Sequence, residues 1–192
     1  CFLNLYFLAL RSNSMNSALN LLNMIHHWDT LALRVLSSRD ASGTLTRLAK
    51  TISFSGNGYA YLVTPVFLFI FDFSQIPEFV RIAISAIVAE RLIYAVMKRG
   101  LKRRRPATIL SNYHSVIEAG DEFSFPSGHT SAAFLIVSLL VLFYGSVFVI
   151  FYLWAGLVAL SRLVLGVHFP TDLLFGGLLG SSVAYLTFAQ LL

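Results

Sequence analysis

FSFPSGHTSAAFLIVSLLVLFYGSVFVIFYLWAGLVALSRLVLGVHFPTDLLFGGLLGSSVAYLTFAQLL, residues 123–192, contains a single Arg, Arg162, a single Asp, Asp172, and no Lys or Glu. A bilayer-spanning helix takes about 20 mostly apolar residues. The stretch has room for three: residues 127–144, broken at Gly145; residues 147–160; and a third from Pro170 to the end of the chain. Upstream, residues 59–71 are nearly all apolar and are ended by Asp72 and the turn at 74–77. Residues 79–97 form a further span that carries Arg81, Glu90 and Arg91. Ionisable groups inside a span face the bundle interior or an interface, and Glu90 is read as structural. The expected fold is all-α: a polytopic membrane helical bundle of five transmembrane helices, or six if residues 17–36 also cross.

Composition agrees. Of 192 residues, 57% are hydrophobic and 12% charged, against roughly 45–50% and about 25% in ordinary globular chains. Disorder is excluded, since it needs low hydrophobicity. A lone cysteine, Cys1, forms neither an internal disulfide nor a zinc site by itself. The net charge of +5 suits an anionic partner. In so apolar a chain that partner is a phospholipid surface or a phosphorylated substrate rather than nucleic acid.

The N-terminal part reads differently. Residues 2–10 are apolar but too short to span, and they lack the basic start and cleavage site of a secretory signal. Residues 18–25 and 31–36 place apolar side chains at helical spacing, as amphipathic helices lying in the interface do. The chain is therefore divided into residues 1–55, interfacial, and residues 56–192, the transmembrane domain.

Counting crossings brings three polar segments to one membrane face. The first is the basic run Lys98, Arg99, Lys102, Arg103, Arg104 and Arg105, interrupted by Gly100 and closed by Pro106. Such a run can anchor to anionic headgroups. Bent, it can also aim some cations inward as an oxyanion cradle, because guanidinium groups pair bidentately with phosphate. The second is Pro126-Ser127-Gly128-His129 at the head of a span, where unpaired N–H groups at a helix start favour an anion. The third is Ser161-Arg162, followed by His168 and Asp172. Arg162 needs an anion to offset its burial. Asp172 falls in the first turn of the last helix, a common place for a capping carboxylate. It could also reach back to one nitrogen of His168, leaving the other free to attack. Glu118, Asp121 and Glu122 solvate the loop or balance the cations. No group of His, Cys and carboxylates has metal-ligand spacing, so neither metal nor cofactor is expected.

These residues resemble the type 2 phosphatidic acid phosphatase (PAP2) superfamily. Its three motifs, Lys-x6-Arg-Pro, Pro-Ser-Gly-His and Ser-Arg-x5-His-x3-Asp, are matched at every fixed position between Lys98 and Asp172. The turn at Ser55-Gly56-Asn57-Gly58 is similar to that of small bacterial members. The resemblance implies a catalytic set of His168 as nucleophile, Asp172 orienting it, and His129 as general acid. It implies phosphate contacts from Lys98, Arg105, Arg162, Ser127 and Gly128, and Arg104, which occupies no motif position, is left as an auxiliary contact to the substrate headgroup. It also implies a membrane-embedded, metal-independent phosphatase that works through a phosphohistidine on a lipid phosphate such as phosphatidate, phosphatidylglycerol phosphate or undecaprenyl diphosphate. The alternatives are phosphoryl transfer to another acceptor and non-catalytic binding of lipid phosphate. On sidedness two arguments disagree. The excess of cations on the site face points to the cytoplasm, whereas the resemblance implies an inner (plasma) membrane protein with its site on the periplasmic or extracytoplasmic face. Cations recruited for phosphate are poor topology markers, so the second is preferred, although Arg34, Arg39, Arg47 and Lys50 then lack an explanation.

Overall fold

A computed structural model describes residues 2–37, 43–71 and 74–191. Cys1, Arg39 and Asp72, named above, lie outside the described residues. The elements in order are α1 (Phe2–Ser37), α2 (Thr44–Ser55), α3 (Tyr59–Ile70), α4 (Ile76–Leu101), α5 (Pro106–Ile109), α6 (Gly128–Tyr144), a 3-10 turn (Ser146–Ile150), α7 (Phe151–Val164) and α8 (Pro170–Leu191). No strand forms among the described residues; Arg104 and Phe123 make an isolated antiparallel bridge. The fold is all-α, as expected. Two segments, Ser146–Val164 and Pro170–Leu191, are long and apolar enough to cross a bilayer, and α6 and residues 61–70 are shorter apolar helices.

Helix α6 is the hub. It buries side chains around much of its circumference, including Leu135, Ile136, Val137, Leu139 and Leu140, as a helix apolar on all sides must. Helix α4 buries Phe79, Ile82, Ala83, Ala86 and Glu90, a spacing of three and four that makes one stripe. The most extensive helix pair is α6 with α8. Glycines allow it: a Cβ on Gly176 would lie 2.7 Å from Ser127 O, and one on Gly180 would lie 2.1 Å from Ser131 O. In lipid, apolar side chains gain little by leaving the solvent, so close backbone packing and polar contacts hold helices together. Glu90, fully buried, supplies one such contact. It accepts from Ser131 Oγ at 2.5 Å and from Arg91 Nη2 at 2.6 Å, the structural role anticipated for it. The outward faces of α3, α4, α7 and α8 carry large exposed apolar residues such as Leu62, Phe69, Leu92, Val96, Leu153 and Leu174.

The N-terminal part departs from expectation in one respect. The two short helices expected at 18–25 and 31–36 are a single continuous helix, α1. The residues between the two runs, His26, His27, Trp28, Asp29 and Thr30, lower helix propensity by only about 0.5 kcal/mol each, too little to break it. One stripe of α1 is docked: His26 meets the Phe169 ring, Asp29 is buried, and Leu33 joins Leu163, Phe169 and Leu173 in a small core. Helix α2 lies along α7, so close that a Cβ on Gly56 would stand 2.7 Å from Val158 Cγ1.

Candidate active site

At one end of the bundle α4, α6, α7 and the loops beside them enclose a cavity of about 300 Å³, whose wall includes Lys98, Arg105, Gly128, His129, Arg162 and His168. Local structure explains how each arrives. Helix α4 carries Lys98 in its last turn and stops at Lys102, which takes a left-handed conformation (φ 45°). The chain then doubles back, so that Arg105 points inward while Arg104 is left exposed and off the cavity wall. Residues 165–169 form a tight turn after α7. Gly166 has φ +75°, and a Cβ there would lie 2.2 Å from the Tyr113 hydroxyl oxygen, so only glycine fits. Val167 N donates to Arg162 O at 3.2 Å and Val167 O accepts from Arg105 Nη1 at 2.7 Å. His168 is thereby fixed at the base of the cavity, 2% exposed.

The cations are tied down by a carboxylate. Asp121 accepts from Lys98 Nζ at 2.8 Å and from Arg105 Nη2 at 2.5 Å. Partial burial works upward on the Asp121 carboxyl, but Lys98 and Arg105 outweigh it and hold the group below the usual carboxylate range. Arg162 donates through Nη1 to Ser53 Oγ of α2 at 2.6 Å, while its buried Nε has no hydrogen-bond partner among the described residues. The His129 ring bonds through Nε2 to Asn57 Oδ1.

His168 is held from both sides. Nε2 lies 3.5 Å from Arg105 Nη1. Nδ1 faces Asp172 Oδ2 at 3.7 Å, which is beyond hydrogen-bond length, so in place of the bond expected to fix the tautomer there is a longer contact. Asp172 has closer partners: Oδ2 accepts from Phe169 N at 2.8 Å and Oδ1 from Arg103 Nη1 at 2.8 Å. The first of these is the reach-back of a third-position carboxylate to the helix cap, the capping role foreseen for it. Burial drives the His168 imidazole down to about 4; the Asp172 carboxylate opposes this, and Arg105 and Arg162 reinforce it. Near neutral pH the ring is uncharged and keeps a lone pair.

Two of the residues singled out in the sequence stand behind the wall. Asp172 is fully buried beneath His168. Ser127 is fully buried too, with its hydroxyl accepting from Thr130 Oγ1 at 3.0 Å and its N–H donating to Asp172 O at 3.0 Å. Gly128 is on the wall, beside the Tyr94 ring. Sequence reasoning missed Asn57, Tyr94, Ser53, Arg103 and Asp29. Asn57 sits in the glycine turn quoted above, a signal that was available. Asp121 balances the cations, one of the two roles foreseen for the acidic group.

Residues 79–192 match the family model described as the PAP2 superfamily. The chain is 33% identical over 106 residues to the bacitracin transport permease protein BcrC of Bacillus licheniformis, a match that takes in 55% of this chain and 52%, about half, of that protein. It is 29% identical over 149 residues to an undecaprenyl-diphosphatase of Sulfolobus acidocaldarius, covering 75% of this chain and 69% of that one. Among solved structures, Aquifex aeolicus LpxE superposes with a TM-score of 0.70 at 29% identity, over 82% of this chain and 92% of that one. The first transmembrane PAP2 type phosphatidylglycerolphosphate phosphatase from Bacillus subtilis superposes with a TM-score of 0.69 at 24% identity, over 88% and 86%, a likeness of fold.

Proposed function

The chain belongs to the PAP2 superfamily, and from that premise we propose that it is a membrane-embedded phosphatase that removes phosphate from a lipid through a phosphohistidine. The observation that carries this reading is the gathering of two histidines and three cations, His129, His168, Lys98, Arg105 and Arg162, around one cavity. His168 Nε2 attacks phosphorus as the bond to the leaving oxygen breaks. Lys98, Arg105, Arg162 and the N–H groups at the start of α6 hold the non-bridging oxygens, where charge accumulates in transfer. His129, which takes up a proton when the phosphate anion binds among these cations, gives it to the leaving oxygen. Water, deprotonated by His129, then attacks phosphorus, the P–N bond breaks, and inorganic phosphate departs. Asp172 orients His168 from behind, and Ser127 shapes the helix start rather than touching phosphate.

The substrate class is a lipid phosphomonoester or diphosphate, with undecaprenyl diphosphate favoured by the name of the Sulfolobus relative. The exposed apolar faces of α3, α4, α7 and α8 suit a bilayer. Residues 56–192 would supply five spans with the site at the extracytoplasmic face of the plasma membrane, and residues 1–55 would lie along the interface. The test is phosphate release from a panel of phosphatidate, phosphatidylglycerol phosphate and undecaprenyl diphosphate in detergent micelles. Release should persist in EDTA. Loss of activity that magnesium restores would overturn the metal-independent mechanism, and silence on every lipid would overturn the function.

The acidity of His168 sets a pH dependence. Protonation removes the attacking lone pair, and the free enzyme's essential groups govern kcat/KM. With the imidazole lowered to about 4, the acid limb belongs near pH 4, below the limb near 6.5 of an ordinary histidine. A pH profile of kcat/KM, corrected for the ionisation of the substrate phosphate, checks this. A limb at 6.5 would mean that the ring is not shielded from water as described.

A further inference from the structure

Asp29 is an oddity: a carboxylate from α1, 2% exposed, that does not line the cavity and lies outside the residues matching the family model. Its partners explain it. Oδ1 accepts from Thr171 N at 3.0 Å, and Oδ2 accepts from Thr171 Oγ1 and from Arg103 Nη2 at 2.6 Å. The other nitrogen of Arg103, Nη1, donates to Asp172 Oδ1 at 2.8 Å and to Thr171 Oγ1 at 2.6 Å. The guanidinium lies over the Phe169 ring, 4.2 Å from its centroid. A planar fork thus bridges two carboxylates, one on the N-terminal helix and one behind His168. Arg103 occupies a variable position of the Lys-x6-Arg-Pro motif and takes no part in the cavity wall.

We propose that Arg103, anchored by Asp29, is a positioning residue that fixes the Asp172 carboxylate and sets how much negative charge it offers to His168. One oxygen of Asp172 is committed to Arg103, which leaves the other to face Nδ1 at 3.7 Å. The groups that face His168 from the packed elements are Asp172 of α8, Arg105 of the loop after α4, Arg162 of α7 and His129 of α6, while His26 of α1 abuts Phe169. Arg103 and Asp29 form the next layer. A cation there opposes protonation of His168, and an anion that neutralises this cation favours it.

The signs of the two deletions are therefore opposite. Removing Arg103 exposes the full charge of Asp172 to His168, whereas removing the charge of Asp29 strengthens the hold of Arg103. A clip that only fastened α1 to the bundle would alter stability and leave the nucleophile's titration alone. The experiment uses the full chain in detergent micelles with carbon-13-labelled histidine, the His168 signal being assigned by its loss in His168→Gln. Arg103→Gln should raise the midpoint of His168 by about half a pH unit or more, and Asp29→Asn should lower it. In turnover of a lipid phosphate both variants should lose about three- to tenfold in kcat with KM little changed, the mark of a group acting on the transition state rather than on binding. In the Arg103→Gln background Asp29→Asn should add less than about twofold, because its route to the site is gone.

Midpoints that stay put, or move the same way in both variants, overturn the proposal, and so do kcat losses that simply multiply. Asn at position 29 can keep its bond to Thr171, so if Arg103→Gln does not fold, Asp29→Asn carries the sign test alone. The turnover arm rests on the phosphohistidine reading above; the titration does not. A chain without phosphatase activity would sink that reading and leave the positioning claim to be decided by the midpoints.

Discussion

His168→Ala should lower phosphate release from a lipid phosphate by about 10⁴-fold or more, the loss found when a covalent nucleophile is removed from a site that otherwise stays intact. The size follows from the chemistry proposed. Without Nε2 there is no phosphoenzyme, and the remaining cations can only bind the phosphate and polarise it toward a water that nothing positions. The fold should tolerate the change. His168 makes one 3.5 Å contact through Nε2 and no hydrogen bond through Nδ1, and the turn is held by backbone bonds at Leu165, Gly166 and Val167. A thermal midpoint close to wild type would separate loss of chemistry from loss of structure. Brief mixing with phosphorus-32-labelled substrate should leave an acid-labile label on the wild-type chain and none on the variant. A variant that still turns over at a tenth of the wild-type rate would end the assignment of His168 as nucleophile.

Gly180→Ala should cost about 3 kcal/mol or more of stability, at the upper end of what overpacking costs. The added carbon would sit 2.1 Å from Ser131 O and 2.9 Å from Leu135 N. Both are backbone atoms of α6, which cannot swing aside as a side chain can. Helices α6 and α8 would have to separate, and they carry His129 and Asp172. Gly177→Ala, three residues earlier, meets the Phe134 ring at an ordinary 3.5 Å and should be nearly silent. Gly156→Ala on α7 meets nothing within 4 Å and should stabilise the helix by up to about 1 kcal/mol. Thermal unfolding of the three variants in one detergent gives the ranking. Equal midpoints for Gly180→Ala and Gly177→Ala would mean that the α6–α8 contact is looser than described.

Much of the site could be read in the chain because its parts are local patterns. The starts of α6 and α8 and the end of α7 are marked by Pro126, Pro170 and the polar residues beside them, and these segments meet around one cavity. The bend that turns Arg105 inward was signalled by Gly100 and Pro106, although it falls at Lys102. What escaped were pairings between distant segments. Asn57 meets His129, Ser53 meets Arg162, and Asp29 meets Arg103 across 74 positions. Each is one polar side chain in an otherwise unremarkable turn or helix, and no periodicity links it to its partner. The continuity of α1 escaped for a related reason: docking of His26, Asp29 and Leu33 stabilises that helix through tertiary contacts its own sequence does not contain.

On the reading proposed above, the bond between Asp121 and the pair Lys98 and Arg105 would also shape the rhythm of turnover. A phosphate group that approaches these two cations meets a resident competitor of the same charge, so part of the attraction is cancelled on arrival. The same competitor would reclaim the cations as inorganic phosphate left. An enzyme built with three bare cations would grip its product and stall. A loop carboxylate that traded places with phosphate would keep the grip shallow, and in the narrow mouth of a lipid bundle that exchange would favour letting go.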